Sequence, residues 1–287
     1  MQILIDTKGI IDPTAITNSD GRTSIFSIIP TSIQVNDVNV SLDISHALIN
    51  DLMGITINAK KGIGVGRGEL FLSLFVKTCK INPGKNGDLL MTTGQGEVSI
   101  EAKGEQAKLQ GQDKVVQPKE FYKNWRAYYR KYYADYKIPD INLRNKREID
   151  KLFKAIKNAG FEMNEEIINL TKYLLMGDGE SDHRYFENDY GVVNDYIEFL
   201  HRHITEITNA DTWLKTIQLC AAKVYQRVSK FTYLLLLNLK QDFMVFNVET
   251  PSFEELWPVV KKYWFATAGI DENDDHFVTP KLTLKEQ

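Results

Sequence analysis

Gly87-Asp88-Leu89-Leu90-Met91-Thr92-Thr93-Gly94-Gln95-Gly96-Glu97-Val98-Ser99-Ile100-Glu101-Ala102-Lys103-Gly104 reads as a β-hairpin. Thr93-Gly94-Gln95-Gly96 supplies the turn, and apolar residues lie on both sides of it. Side chains alternate faces along a strand, so Glu101 and Lys103 point the same way. Strand pairing can bring Asp88, at the start of the first strand, beside them. Two carboxylates and an ammonium at one point are the equipment for metal-assisted hydrolysis of a phosphodiester.

Upstream, glycine alternates at Gly62, Gly64, Gly66 and Gly68. Glu69-Leu70-Phe71-Leu72-Ser73-Leu74-Phe75-Val76-Lys77 then has the spacing of a helix with a buried apolar face. The glycines read as a flexible turn that opens this helix. A second reading is that they allow a close backbone approach, so that Glu69 joins Asp88 in one site. The run fits neither nucleotide template: Glu69 stands where the last glycine of G-x-G-x-x-G belongs, and no Gly-Lys-Ser/Thr follows. Asn82-Pro83-Gly84-Lys85-Asn86-Gly87 reads as a loop, and the segment from Lys80 to Gly87 is too short to hold an additional strand before Asp88.

Asp/Glu-x-Lys occurs three times, at Asp6-Thr7-Lys8, Glu101-Ala102-Lys103 and Asp135-Tyr136-Lys137. The last falls in an expected helix, where residues two apart do not share a face. The first has no upstream acidic partner. Only Glu101-Ala102-Lys103 follows apolar strand residues, with an acid at an earlier strand start and a helix-borne acid before that. The bland alternative is an exposed hairpin with ordinary surface charges.

A helix Glu, an Asp at a strand start and Glu-x-Lys on the next strand is similar to the PD-(D/E)XK nuclease superfamily. The resemblance covers Gly66 to about Gly104 and continues into 212–248. It implies an α/β chain with a restriction-endonuclease-like core, a mixed central sheet and a large all-helical insertion. It also implies that Asp88 and Glu101 hold Mg²⁺ or Mn²⁺, with the Ala102 carbonyl as a further ligand. Lys103 would orient or activate the attacking water, and Glu69 would complete the acidic cluster. The implied activity is hydrolysis of DNA by a metal-dependent endonuclease. The sequence departs from the pattern at Gly87, where the family has proline, and no Gln-x-x-x-Tyr follows Glu-x-Lys. The alternative from another class is a non-catalytic nuclease-fold protein that binds DNA or builds an assembly such as a virus particle.

The chain divides on composition into a β-rich 1–60, an α/β core of 61–104 and 211–270, a helical insertion of 105–210 and an acidic tail of 271–287. In the first part, Ser24–Pro30 and Ile33–Leu42 read as strands, with Asn36-Asp37 as a turn, and Ser45–Met53 as a short helix. The insertion opens near Pro118, where Phe121, Trp125, Tyr128, Tyr132 and Tyr136 recur at three- and four-residue spacing. Helices are expected at Lys146–Asn158, Asn164–Leu175 and Val192–Ile207. The aromatics read first as a helix core face, and second as a stacking surface for bases. Beyond the insertion, a buried helix at Thr212–Ser229, strands at Phe231–Leu239 and Phe243–Val248, and a helix at Ser252–Ala268 complete the core. Ser252 with Glu255 forms a capping box.

Net charge is only −3, which excludes a global basic field, so any nucleic-acid contact must be local. Charge is indeed split: twelve Lys/Arg against five Asp/Glu at 117–157, and three against twelve at 162–211. Lys119, Lys123, Arg126, Arg130, Arg144, Lys146 and Arg147 are the candidate phosphate contacts. Their bland reading is a solvated helix face. The acidic block suits a basic partner, so self-association or a larger assembly through the insertion is a further expectation. Cys79 and Cys220 each lie in an apolar helical context and read as reduced core residues of a cytoplasmic protein. No secretory leader and no membrane span is expected. The histidines, the Asp271-Glu272-Asn273-Asp274-Asp275 run and the serines match no Zn²⁺, Ca²⁺ or hydrolase-elbow template.

Overall fold

In this computed structural model the described residues are 9–18, 21–35, 37–42, 44–45, 47–49, 51, 57–58, 64–82, 86–104, 108–109, 118–143, 145–177, 190–237, 242–265, 277–278 and 281–282. The principal elements follow chain order. They are α1 (Pro13–Thr17), β1 (Thr23–Ser24), α2 (Ile25–Ile28), β2 (Ser32–Val35), β3 (Val38–Ser41), α3 (Arg67–Phe75), β4 (Cys79–Ile81), β5 (Leu89–Thr93) and β6 (Gly96–Gly104). Next come α4 (Pro118–Tyr128), α5 (Lys146–Asn158), α6 (Met163–Met176), α7 (Tyr190–His203) and α8 (Ala210–Ser229). The series ends with β7 (Tyr233–Leu237), β8 (Asp242–Asn247) and α9 (Phe253–Tyr263). The chain is α/β.

Two compact units result: 1–105 with 229–250 and 286–287, and 106–228 with 251–285. Residues 1–60 thus belong with the sheet, and the helices at 210–229 and 253–263 group with the helical unit. The sequence-based division had assigned both helices to the α/β core.

The first unit holds a six-stranded sheet in the order β1-β8-β7-β6-β5-β4. Its pairs are antiparallel except β6 with β7, which run parallel, so the sheet is mixed. Phe71 and Phe75 of α3 stack with ring centroids 4.7 Å apart and are fully buried. They join Leu89, Met91, Ile100, Leu235 and Phe243 of the sheet in one core. Burying each such side chain contributes about 1.5–3 kcal/mol. Ile10, Ile11, Ile16 and Ile25 enter the same core. Ile10 and Ile11 N–H both donate to Phe75 O at 2.8 Å, satisfying a carbonyl at the end of α3.

Two local expectations are corrected. Ser24–Pro30 is not a strand, because Ser24 accepts Phe26 N–H at 3.3 Å and caps the helical turn α2. Cys79 is not helical. Helix α3 stops at Phe75, Thr78 takes φ 59, and the chain turns directly into β4. That strand pairs with β5 and occupies the space the sequence had been read as leaving empty. Strands β2 and β3 pair antiparallel, as a hairpin requires, while Asn36 of the expected turn lies outside the described residues.

In the helical unit, α4 continues into a π-helical turn at Tyr129–Tyr133. The extra residue per turn advances the buried face by one position. Phe121, Trp125, Tyr128 and Tyr133 are buried, whereas Tyr132 and Tyr136 are 41% and 50% exposed. Regular spacing had placed Tyr132 with the buried set. Tyr128 and Tyr133 hydroxyls both donate to Glu166 Oε1, at 2.8 and 2.5 Å. Burial, then Glu166, pushes both phenols far above their usual range. Cys220 is buried in α8, and both cysteines are free. Among the described residues no helix is long and apolar enough to cross a membrane.

The capping box of α9 forms as read, with Ser252 and Glu255 each accepting the other's backbone N–H. Glu206 ties this helix to the end of α7. It accepts from Lys261 Nζ at 2.6 Å and Trp257 Nε1 at 3.1 Å, and meets His203 Nδ1 at 2.8 Å. The Lys261 bond, then His203, lowers its carboxyl from 4.5 to about 2. A depressed folded value stabilises above the unfolded one, so the contribution is whole above 4.5 and is lost as pH falls toward 2. The side chain is 35% exposed, and solvent screening reduces the effect to about 1 kcal/mol. Urea titrations of Glu206→Gln and the wild type should therefore differ by that amount at neutral pH and converge near pH 2. A constant difference across the range would reject this account.

Candidate active site

Asp88, Glu101 and Lys103 meet because of strand register. Leu89 pairs with Ile100, so the next residues outward, Asp88 and Glu101, oppose one another on the same face. Asp88 N–H donates to Ile100 O at 2.9 Å, which extends the ladder to the carboxylate. Asp88 Oδ2 accepts Ala102 N–H at 3.0 Å. A strand residue's N–H and C=O project to the same side, so the Ala102 carbonyl also faces the Asp88 edge. Lys103 Nζ lies 2.5 Å from Glu101 Oε1, and Glu101 is only 4% exposed. On the far side of β6, Leu234 pairs with Glu101 and Leu236 with Lys103, so both site residues sit on an interior strand.

Glu69 enters from the first turn of α3. It stands at the third helical position, and its carboxylate accepts the Gly66 N–H. A Cβ on residue 66 would meet Glu69 Oε1 at 2.6 Å, so a larger residue there would shift the carboxylate from its present position. Burial, then the charge of Asp88, raises the Glu69 carboxyl to about 7. Burial, then Glu101, raises Asp88 as well, while Lys103 and the Ala102 N–H act against the shift. The three acids therefore share one electrostatic environment with the Lys103 ammonium.

This donor set is all oxygen and hard, the type of ligand that suits Mg²⁺ or Mn²⁺. Asp88, Glu101 and the Ala102 carbonyl are the groups that would hold the ion. Among the described residues no three His, Cys, Asp or Glu side chains already form a metal-holding group. In the present geometry Glu101 is turned to Lys103, and Asp88 to the Ala102 N–H.

Two supports escaped the sequence reading. Gly87 has φ +80, and a Cβ there would meet Ile100 O at 3.0 Å and Phe231 Cβ at 3.2 Å. Proline fixes φ near −65°, so the residue that the family pattern places here is conformationally excluded. Asn82 donates its N–H to Asp88 O at 2.8 Å and its side-chain amide to Asn86 O and Gly87 O at 3.2 and 3.3 Å. It clamps the loop that delivers Asp88. The turn signal of Asn-Pro-Gly located that loop but not the clamp.

The basic candidates lie in the other unit. Lys123, Arg130 and Arg147 are exposed. Arg126 pairs with Asp140 and lies over the Tyr122 ring, and Lys146 pairs with Asp211. Lys119 falls in α4, but its side chain, like all of Arg144, lies outside the described residues. No protein-family model, no curated protein and no solved structure matches the chain.

Proposed function

We propose that this chain is a divalent-metal-dependent endonuclease that hydrolyses DNA on a restriction-endonuclease-like core of the PD-(D/E)XK type. The observation that carries the reading is the meeting of Asp88 with Glu101 and Lys103 across the β5–β6 pair. Strand β4 adds support, since many members of that superfamily place a strand between the first helix and the Asp. A reduced, cytoplasmic setting belongs to the same reading and agrees with two free thiols.

A bound Mg²⁺ or Mn²⁺ supplies Lewis-acid polarisation of the phosphoryl oxygen and lowers the pKa of water. The remaining work falls to the chain. Asp88 and Glu101 provide the carboxylates, Asp88 held by its backbone bond to Ile100 O just before β5 and Glu101 by its place on β6. Lys103 Nζ balances the negative charge that grows on the phosphoryl group and orients the attacking water. Glu69, whose carboxyl is raised to about 7, is only partly protonated at neutral pH, and a cation that neutralises the cluster would favour release of that proton.

Incubation of the protein with plasmid and linear DNA in Mg²⁺ or Mn²⁺ tests this. Cleavage should require the metal, and Lys103→Ala should retain about one part in 10² to 10⁴ of it. Equal product from both proteins, or none from either, would refute the catalytic assignment. A second reading rests on the Lys103–Glu101 pair and on the lack of a ready metal-holding group among the described residues. In it, the same fold serves a non-catalytic DNA-binding or assembly protein. Absence of cleavage together with stable self-association on a sizing column would favour that reading.

A further inference from the structure

The π-helical turn brings two tyrosines to the surface among cations. Tyr132 and Tyr136 are the only tyrosines in the group of exposed large hydrophobics among the described residues. Neither needs exposure to satisfy packing: the turn buries Tyr133 in place of Tyr132 and leaves the helical core filled. The Tyr132 ring rests 4.5 Å from Tyr128, and the Tyr136 ring 5.0 Å from Phe161, so each is backed by another aromatic. Lys131 Nζ lies 5.4 Å above the Tyr132 ring. Arg130, Lys131 and Lys137 are exposed on the same stretch, with Asp135 the one acid between Lys123 and Lys137.

We infer that Tyr132 and Tyr136, flanked by Arg130, Lys131 and Lys137, form a binding surface for unpaired bases of single-stranded nucleic acid. The chemistry is that of a stacking platform in a positive setting: rings take the base faces and cations take the phosphates. Each ring has an aromatic neighbour, tilted for Tyr132 and edge-on for Tyr136, that limits its motion before a base arrives. π-Turns recur at functional sites because they reposition side chains at a cost to helix regularity. The choice of nucleic acid as ligand rests on the proposed function. The platform itself needs no metal and lies wholly within the helical unit, so it can be tested apart from cleavage.

The test is fluorescence anisotropy with a labelled oligothymidylate of about 12 nucleotides, and with a duplex of equal length, in EDTA. The wild type should prefer the single strand. Tyr132→Ala/Tyr136→Ala should weaken single-strand binding about 5- to 100-fold, and Tyr132→Phe/Tyr136→Phe should retain it, because stacking needs the ring and not the hydroxyl. The Phe pair also controls for folding. Arg130→Ala/Lys131→Ala/Lys137→Ala should reduce the slope of log affinity against log salt by about 2. Equal affinity for duplex and single strand, or an unchanged affinity in the Ala pair, would overturn the inference. Binding of polyglutamate as tight as that of the oligonucleotide would also overturn it, by showing a plain anion surface. Loss of cleavage in Lys103→Ala with single-strand binding intact would leave the inference standing.

Discussion

Gly87→Pro should lower the unfolding free energy of the sheet unit by about 3–4 kcal/mol and abolish metal-dependent DNA cleavage. The substitution introduces the residue that the resembled superfamily pattern carries, so a reading from pattern alone expects it to be harmless or helpful. The geometry says the reverse. Gly87 occupies φ +80, which proline cannot adopt, and a Cβ there presses on Ile100 O and Phe231 Cβ. Asp88 would move with its neighbour, because Asp88 N–H and Ile100 O close the last rung before the site. Gly87→Ala separates the two causes. It keeps the strain of a side chain at positive φ but leaves the N–H, so it should cost about 1–3 kcal/mol and retain part of the activity. Denaturant titration followed by a plasmid assay measures both. A Gly87→Pro protein of wild-type stability would contradict the conformation described for this residue.

Glu101→Gln should remove about 10³-fold or more of cleavage and, independently, the stabilisation given by Mg²⁺. For the wild type, metal at about a hundredfold above its Kd should add about 2.7 kcal/mol to the unfolding free energy. The glutamine variant should show much less, since it removes one of the two carboxylates assigned to hold the ion. The effect carries a pH signature through Glu69. Its folded value of about 7 lies above the ordinary 4.5, so the folded chain keeps a proton that the unfolded chain releases in that window. Without metal, stability therefore falls as pH rises from 4.5 to 7. A cation reverses the preference, so the metal-induced rise in Tm should be larger at pH 8 than at pH 6. Differential scanning calorimetry of both proteins, with and without Mg²⁺, reads all of this without reference to activity. A Mg²⁺ response of equal size in Glu101→Gln would exclude Glu101 as a ligand.

What the sequence revealed and what it hid follow from range of interaction. The β5–β6 hairpin was legible because period-two alternation and a Thr-Gly-Gln-Gly turn are local signals, and they suffice to set Asp88 against Glu101. Helix α5 coincides with its expected span, Lys146–Asn158, because Asn145 caps it by accepting Arg147 N–H at 2.8 Å. The π-turn was not legible. Tyr132 and Tyr133 are the same residue type, and the partners that hold Tyr133 inward include Glu166 and Phe161, both distant in sequence. Strand β4 was hidden for a similar reason, since Cys79-Lys80-Ile81 becomes a strand through pairing with β5 and has no pattern of its own. The identity of the Asp88 loop was readable, but its left-handed glycine and its Asn82 clamp depend on contacts with Ile100 and Phe231 that no short window contains.

The parallel pairing of β6 with β7 bears on how this chain reaches its native state. The contact from Thr232 N–H to Ser99 Oγ, at 3.1 Å, joins residues 133 apart in sequence. The β5–β6 hairpin can form within microseconds from local contacts, whereas β7 can dock only after a long excursion has closed. Until then the β6 edge, which carries Glu101 and Lys103, has an unfilled ladder open to foreign strands. The slowest folding phase should therefore report on β7 arrival, and aggregation during refolding should begin at this edge. The proposed nuclease chemistry would be the last property the chain acquires.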